Sequence, residues 1–290
     1  LIIYFFPNND TTIKEHLNYI KRDEMPIFLI DNSNYVARTS IVKSSENINE
    51  QIIEIIETLT KNSKKSSYIR DGFKPIIPQN TKVIDVLLDN EILTINFSKE
   101  LLTIDKDNEE KMIEAIIYSL TEIKEIKKIK ILVENTPFTK LPNSQKKLPD
   151  YLDKNYGINK IYNLDSIKES TKTTIYYLSK FQDYHYFVPV TKINNEKTEK
   201  VEIIIKELKS TPIYQTNLIS YLAASANITN YELLENGIKL SFNNYLIANI
   251  KEEEALEEVK YSIALSLRDT YGINEVIFNI PDSENTKISV

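Results

Sequence analysis

Apolar residues recur at helical spacing in two separate parts of this 290-residue chain. The spacing i, i+3, i+4, i+7 places four side chains on one face, which predicts an amphipathic helix that buries that face. The two stripes are Ile52, Ile55, Ile56 and Leu59, and Val201, Ile204, Ile205 and Leu208. We therefore expect two similar helices, one in each half of the chain.

Strand patterns recur in the same order as the helical stripes. Residues 93–97 and residues 238–242 alternate apolar with polar positions, as half-buried strands do. Further along, the apolar positions of residues 126–133 return in residues 273–280. Repeats of this length indicate a duplicated domain, because solenoid units span only about 20–50 residues.

Both copies are predicted to share one core order of helix, strand, strand, helix, strand, preceded by extra strands. In the first copy we predict strands over residues 1–6, 26–30, 35–42, 83–88, 92–97 and 128–133, and helices over 10–22, 48–61 and 108–124. In the second copy we predict strands over residues 174–178, 186–191, 229–234, 238–242 and 275–280, and helices over 196–209 and 252–270. The fold class is therefore α+β, with helices packed on a mixed or antiparallel sheet.

The domain plan follows from the repeat. We predict a first domain over residues 1–142, a partly ordered connector over 143–171 and a second domain over 172–290. The connector is too rich in apolar residues for a free linker, so we expect it to pack on one or both domains. Residue types that favour helix ends occur at two positions. Asn47 or Asn49 could cap the helix that begins near residue 48, and Gly272 could end the last helix.

Composition narrows the functional classes. The net charge of −6 argues against a nucleic-acid partner, which usually needs a basic face. The absence of cysteine excludes disulfides and cysteine-bound metals. No apolar run approaches the roughly 20 residues of a membrane helix. Residues 1–6 are too short for a signal-peptide core, so we expect any membrane contact to come through an anchor upstream of residue 1.

The chain contains few of the residue types and motifs that catalysis requires. The chain has two histidines, no G-x-S-x-G elbow and too few glycines for a phosphate-binding loop. We expect structural roles for His16 and His185, because a catalytic histidine needs an oriented partner. We assign no catalytic, cofactor-binding or metal-binding residue, and we expect no cofactor and no enzymatic activity.

Two alternatives stay open. Asp85, Asp89 and Glu91 fall on one predicted hairpin, so a hydrolase that uses paired carboxylates is conceivable. Aromatic faces can also stack on sugars, which would suit a module that binds cell-wall glycan. The aromatic residues in question are Tyr176, Tyr177, Tyr184, Tyr186 and Phe187, and strand cores select such residues anyway.

One stretch of the first copy resembles a known family. The residues concerned are 77–83 (Ile-Pro-Gln-Asn-Thr-Lys-Val), Val86, 89–92 and 95–101 (Ile-Asn-Phe-Ser-Lys-Glu-Leu). They are similar to the centre of the GerM-type (GerMN) domain, with its Pro-x-Gly-Thr-Lys element, strand hairpin and Asp-Leu-Ser-like element. Asn80 stands where that family usually has glycine, and Asn96 where it usually has aspartate. The second copy lacks the Pro-x-Gly-Thr element, and residues 218–221 occupy that region.

The resemblance implies a function that the residues alone do not. It implies two tandem domains similar to ring-building domains, in a non-enzymatic lipoprotein of sporulation or germination. Such a protein would lie outside the cytoplasm, at the bacterial cell surface or in an intermembrane space, held by a lipid anchor. It would act as a scaffold or assembly factor, with ring-building-type sporulation proteins as partners and peptidoglycan as an alternative partner.

Overall fold

The fold was analysed in a computed structural model, which describes residues 24–164, 169–210, 217–243, 245–247, 253–280 and 285–290. The predicted strand over residues 1–6, the predicted helix over 10–22 and His16 lie outside the described residues. No helix in the described ranges is both long and apolar enough to cross a membrane.

The elements of the first copy follow the predicted order. They are β1 (Glu24–Asp31), β2 (Val36–Val42), α1 (Ile48–Leu59), β3 (Phe73–Lys74), β4 (Val83–Asp89), β5 (Ile92–Phe97), α2 (Glu109–Leu120), β6 (Lys128–Val133) and β7 (Thr136–Pro137). The helix α1 ends two residues earlier than predicted because Thr60 is extended (φ −89°, ψ 126°) and bridges to Ile77. The short strands β3 and β7 were not predicted.

The second copy repeats this order. Its elements are β9 (Thr171–Phe181), β10 (Tyr184–Asn194), α3 (Lys200–Lys209), β11 (Ile228–Leu233), β12 (Gly237–Phe242), α4 (Glu253–Tyr271), β13 (Glu275–Asn279) and β14 (Thr286–Ser289). One further strand, β8 (Ile161–Asn163), lies in the connector. Neither β8 nor β14 was predicted, and α3 begins four residues later than expected.

Each copy builds its own four-stranded sheet with the same topology. The strands lie in the order β4-β5-β6-β7 in the first copy and β11-β12-β13-β14 in the second. In both sheets the first and last pairs are antiparallel and the central pair is parallel. A parallel pair needs a long crossover, which α2 and α4 provide. The predicted α+β class and duplicated core are thus confirmed.

A third sheet is built by both copies together. The hairpins β1–β2 and β9–β10 meet where β2 pairs with β10, at Arg38 opposite Phe187. The connector strand β8 adds to β10 in parallel. Because this six-stranded sheet joins the two proposed units, the division at residues 142 and 171 stays a prediction.

The connector is fastened at the point where the two hairpins meet. The Asn159 side chain donates to the carbonyl oxygens of Val36 in β2 and Pro189 in β10, at 2.8 and 2.7 Å. It also accepts from the Val36 amide at 2.9 Å. Leu152 pairs with Ile129 at the edge of the first copy's sheet. The connector therefore packs against both copies.

The predicted apolar stripes form the core. Every residue of the two stripes is at most 5% exposed, and each contributes roughly 1.5–3 kcal/mol on burial.

Asn47 caps α1 by accepting from the amides of Asn49 and Glu50. Gly272 ends α4 at φ +69°, with its amide donating to Arg268 at 2.8 Å. The predicted cap at the start of α1 and the predicted end of α4 are therefore both present.

Candidate functional site at the junction of the two copies

Two serines occupy corresponding positions in the long crossover helices. Ser119 in α2 accepts a hydrogen bond from the Phe28 amide of β1 at 2.9 Å. Ser266 in α4 accepts one from the Tyr176 amide of β9 at 2.8 Å. Each serine thus fastens its helix to the first strand of its own copy. This contact is a feature of the duplicated unit that the apolar pattern did not reveal.

Three residues after each serine stands a carboxylate, and the two carboxylates meet at the junction. Arg268 donates to both oxygens of Glu122, at 2.9 and 2.7 Å, and its Nε donates to Asp269 at 2.9 Å. Lys154 of the connector donates to Glu122 at 2.9 Å and to Asp269 at 2.7 Å. The Tyr176 hydroxyl donates to the second Asp269 oxygen at 2.5 Å. This set of four charges, the junction network, joins both copies and the connector.

The junction network is almost closed to water. The Glu122 side chain is 5% exposed and that of Asp269 only 1%. Burial by itself raises the pKa of Glu122, but Lys154, Arg268 and Arg38 outweigh it and hold the pKa far below its ordinary value. Burial likewise raises the pKa of Asp269, but Arg268 and Lys154 outweigh burial and bring that pKa below its ordinary value. Both carboxylates are therefore ionised and neutralised by their partners.

The junction network lies beside an open cleft of about 680 Å³. A glycosidase of the paired-carboxylate type needs one carboxyl whose pKa is raised so that it can donate a proton. Glu122 and Asp269 are close together, but both pKa values are depressed. The arrangement is suited to holding the two copies together and not to proton transfer.

The three carboxylates proposed from sequence do not form a site. Asp85, Asp89 and Glu91 are all exposed, on β4 and on the turn that follows it. Within the described ranges, no group of three or more histidine, aspartate or glutamate residues could hold a metal ion. The hairpin therefore presents these three carboxylates to solvent.

The aromatic residues proposed as a sugar platform are mostly in the core. Tyr176, Tyr177 and Tyr186 are at most 7% exposed. Tyr184 is covered by the Arg70 guanidinium, 4.0 Å from its ring centre, and Phe187 packs near Tyr261. Three of the five rings are therefore closed to a glycan, and Tyr184 and Phe187 are half-buried.

His185 has an oriented partner. Its Nδ1 lies 2.6 Å from a carboxylate oxygen of Glu258, which links β10 to α4. The ring also packs near Tyr221, at 5.8 Å between ring centres. These contacts fasten the second copy's hairpin to its crossover helix. Because His185 does have an oriented partner, its structural role stays a prediction.

Both departures from the family motif have a local explanation. Asn80 adopts φ +67°, the left-handed conformation that asparagine tolerates better than other non-glycine residues. The turn is closed by Thr81, whose hydroxyl donates to Pro78 at 2.7 Å. Asn96 is 3% exposed; it donates to the Asn135 side chain at 2.8 Å and accepts from the Asn135 amide at 3.0 Å. Asparagine therefore satisfies both positions.

In the part of the chain that the structure describes, the first strand of each four-stranded sheet has an unpaired edge. β4 and β11 are terminal strands without a further partner among the described residues. Ile84 and Leu87 on β4 are 48% and 59% exposed, and Leu233 on β11 is 59% exposed. These apolar side chains lie among charged residues of the kind that protect natural sheet edges, namely Asp85 and Asp89 on β4 and Glu232 on β11. Apolar side chains beside unpaired backbone groups make these two edges candidate binding surfaces.

Sequence reasoning missed the junction network and the lysines around the cleft. Lys124, Lys127 and Lys128 line the cleft, and their dense spacing between α2 and β6 was a usable signal. The partners of Glu122 had no such signal, because Arg268 and Lys154 come from other parts of the chain.

The duplicated topology defines a class: a protein with two GerM-type units in tandem. The solved structure described as the tandem GerMN domains of the sporulation protein GerM from Bacillus subtilis superposes with a TM-score of 0.78. It is 22% identical and covers 90% of this chain and 92% of that one. At this identity the match shows the fold alone.

Sequence comparison extends the match beyond the fold. Residues 3–139 match the family model for "Germane", described as sporulation and spore germination. The spore germination protein GerM of Bacillus subtilis is 26% identical over 257 residues, which are 86% of this chain and 69% of that protein. The first copy therefore matches the GerM-type sporulation and germination family in sequence, and the chain as a whole has the fold of that family's tandem two-domain form. The resemblance seen in the sequence is confirmed.

Proposed function

We propose that this protein is a non-catalytic assembly factor in sporulation or germination that acts by binding other proteins. The observation that carries the proposal is the open apolar edge in each copy, β4 and β11. A strand of another protein can add to such an edge, with backbone hydrogen bonds giving affinity and exposed side chains giving specificity. Duplication supplies two such edges in one chain, which suits a protein that links neighbours.

The absence of a catalytic role is part of the same proposal. The buried carboxylates Glu122 and Asp269 are paired with Lys154 and Arg268. His185 is engaged by Glu258. In this proposal both sets of contacts hold the fold together.

The proposed location is outside the cytoplasm, with the chain held at a membrane by a lipid anchor upstream of residue 1. Homology to a spore germination protein supports this proposal. Sequencing the N-terminus of the full-length gene product tests it. A signal peptide that ends in a lipid-modified cysteine is the expected result, and a start codon directly before residue 1 would contradict it.

Native mass spectrometry tests the binding proposal. The chain is measured alone and with each candidate ring-building sporulation protein. We expect a complex that is lost in the I84K/L87K variant or in L233K, because a charged side chain on an edge opposes strand addition. V42K is the matched control, since Val42 is 49% exposed and lies on β2, away from both edges. A strictly monomeric protein that binds no candidate would overturn the proposal.

A further inference from the structure

The cleft at the junction carries more positive than negative charge. Its lining side chains include six cationic groups and three carboxylates. Within the junction network, Lys154 and Arg268 neutralise Glu122 and Asp269. The remaining carboxylate, Asp153, accepts from the Asn155 amide at 2.8 Å. The other cationic groups lining the cleft are Arg38, Lys124, Lys127 and Lys128. In a chain with a net charge of −6, this concentration of positive charge is local.

The three lysines are available for a ligand. Lys124, Lys127 and Lys128 are exposed and have no ion pair with any described residue. They stand in one short segment, between the end of α2 and the start of β6, so their charges lie on the same wall. Three exposed lysines that line one cleft are a suitable site for a multiply charged anion.

Arg38 supplies a further donor. Its Nε is buried and has no hydrogen-bond partner, although its Nη2 lies 3.9 Å from Glu122. Thr270, which also lines the cleft, has a buried hydroxyl oxygen that is likewise unpaired. Both atoms are closed to solvent, so Arg38, whose side chain is 25% exposed, would reach a ligand through its other guanidinium nitrogens.

Residues of the second copy also line the cleft. Tyr261, 40% exposed, lies there with Leu265 and Ile273. The volume of about 680 Å³ is in the range of small-ligand sites, roughly 300–1,000 Å³. A ligand in this cleft would place its charged end at the lysines and its body against aromatic and aliphatic side chains.

We infer that this cleft binds a phosphate-bearing ligand, with its phosphoryl group among Lys124, Lys127, Lys128 and Arg38. A phosphoryl group matches the site better than a single carboxylate because it offers more charge and more acceptor oxygens to the four cationic groups. The group can belong to a small molecule or to a polymer chain that runs through the open cleft. This inference is independent of the open sheet edges.

Isothermal titration calorimetry tests the inference, with inorganic pyrophosphate and inorganic polyphosphate as probes at low and at physiological ionic strength. We expect K124Q/K127Q/K128Q to weaken pyrophosphate binding about tenfold or more, since three charge-assisted contacts are lost. The matched control is K99Q/K106Q/K147Q. It removes the same charge from exposed lysines outside the cleft and should weaken binding less than about twofold.

The two probes distinguish the sources of the phosphate. Tighter binding of polyphosphate with the same dependence on the three cleft lysines would assign the group to a polymer. Equal affinity per site would assign it to a small molecule. Absence of pyrophosphate binding, or equal losses in the two triple variants, would overturn the inference. Thermal unfolding by circular dichroism verifies that both triple variants are folded.

Discussion

Glu122 and Asp269 accept hydrogen bonds from one ammonium group, that of Lys154, at 2.9 and 2.7 Å. They stand at corresponding positions of the two copies, three residues after Ser119 and Ser266. Two like charges at one junction would repel, and the fold resolves this by placing Lys154 and Arg268 between them. Duplication has thus brought two equivalent carboxylates together, and the connector supplies a cation that neutralises them.

Removing one carboxylate from the junction network should destabilise the protein. We expect E122Q to lower the free energy of unfolding by about 3–5 kcal/mol, because Arg268 and Lys154 would be left buried without their full partner. Urea unfolding followed by circular dichroism measures the change. E169Q is the control: it breaks the exposed Lys197–Glu169 pair and should have little effect, since surface pairs contribute little. Equal stability of E122Q and E169Q would contradict the structural role of the network.

The junction network should also make stability depend on pH. The folded-state pKa values of Glu122 and Asp269 lie below their ordinary values of 4.5 and 3.8. Their contribution is therefore complete above about pH 5 and is lost as the pH falls below those ordinary values toward the folded ones. We expect the stability difference between the parent protein and E122Q/D269N to shrink between pH 7 and pH 3. Urea titrations at the two pH values measure it, and an unchanged difference would refute the assignment.

The two serines should have similar effects when they are removed. S119A leaves the Phe28 amide without its acceptor, and S266A does the same to the Tyr176 amide. We expect each to cost about 1–3 kcal/mol of unfolding free energy, the range for an unpaired buried amide. S67A serves as the comparison, because the exposed Ser67 hydroxyl donates only to a nearby carbonyl. If S119A and S266A were as mild as S67A, the serines would not be fastening the helices.

The turn before β4 should prefer glycine or asparagine. Asn80 has φ +67°, which costs a residue with a Cβ roughly 1–2 kcal/mol. We expect N80G to be nearly neutral and N80A to destabilise by about 1 kcal/mol, as measured by thermal unfolding. The comparison of the two variants is its own control, since both remove the amide side chain. Equal effects would show that the side chain, and not the backbone conformation, is what matters at this position.

Much of each copy could be predicted from the sequence. The apolar stripe of Ile52, Ile55, Ile56 and Leu59 and the alternation in residues 93–97 are local, because helix and strand periods place their side chains on one face. The cap at Asn47 and the stop at Gly272 are local too. Asn80, which stands where the family usually has glycine, has a local explanation too, because asparagine tolerates the positive φ at that position.

Only the tertiary structure decided how the copies are joined. The contact of β2 with β10, the insertion of Asn159 between them and the meeting of Glu122 with Arg268 all connect residues that are far apart in the chain. Such contacts produce no periodic pattern in the sequence, because any strand edge or any opposite charge could in principle provide the partner. The sequence by itself determined two similar units, and the packing of their hairpins determined that both share one sheet, one charge network and one cleft.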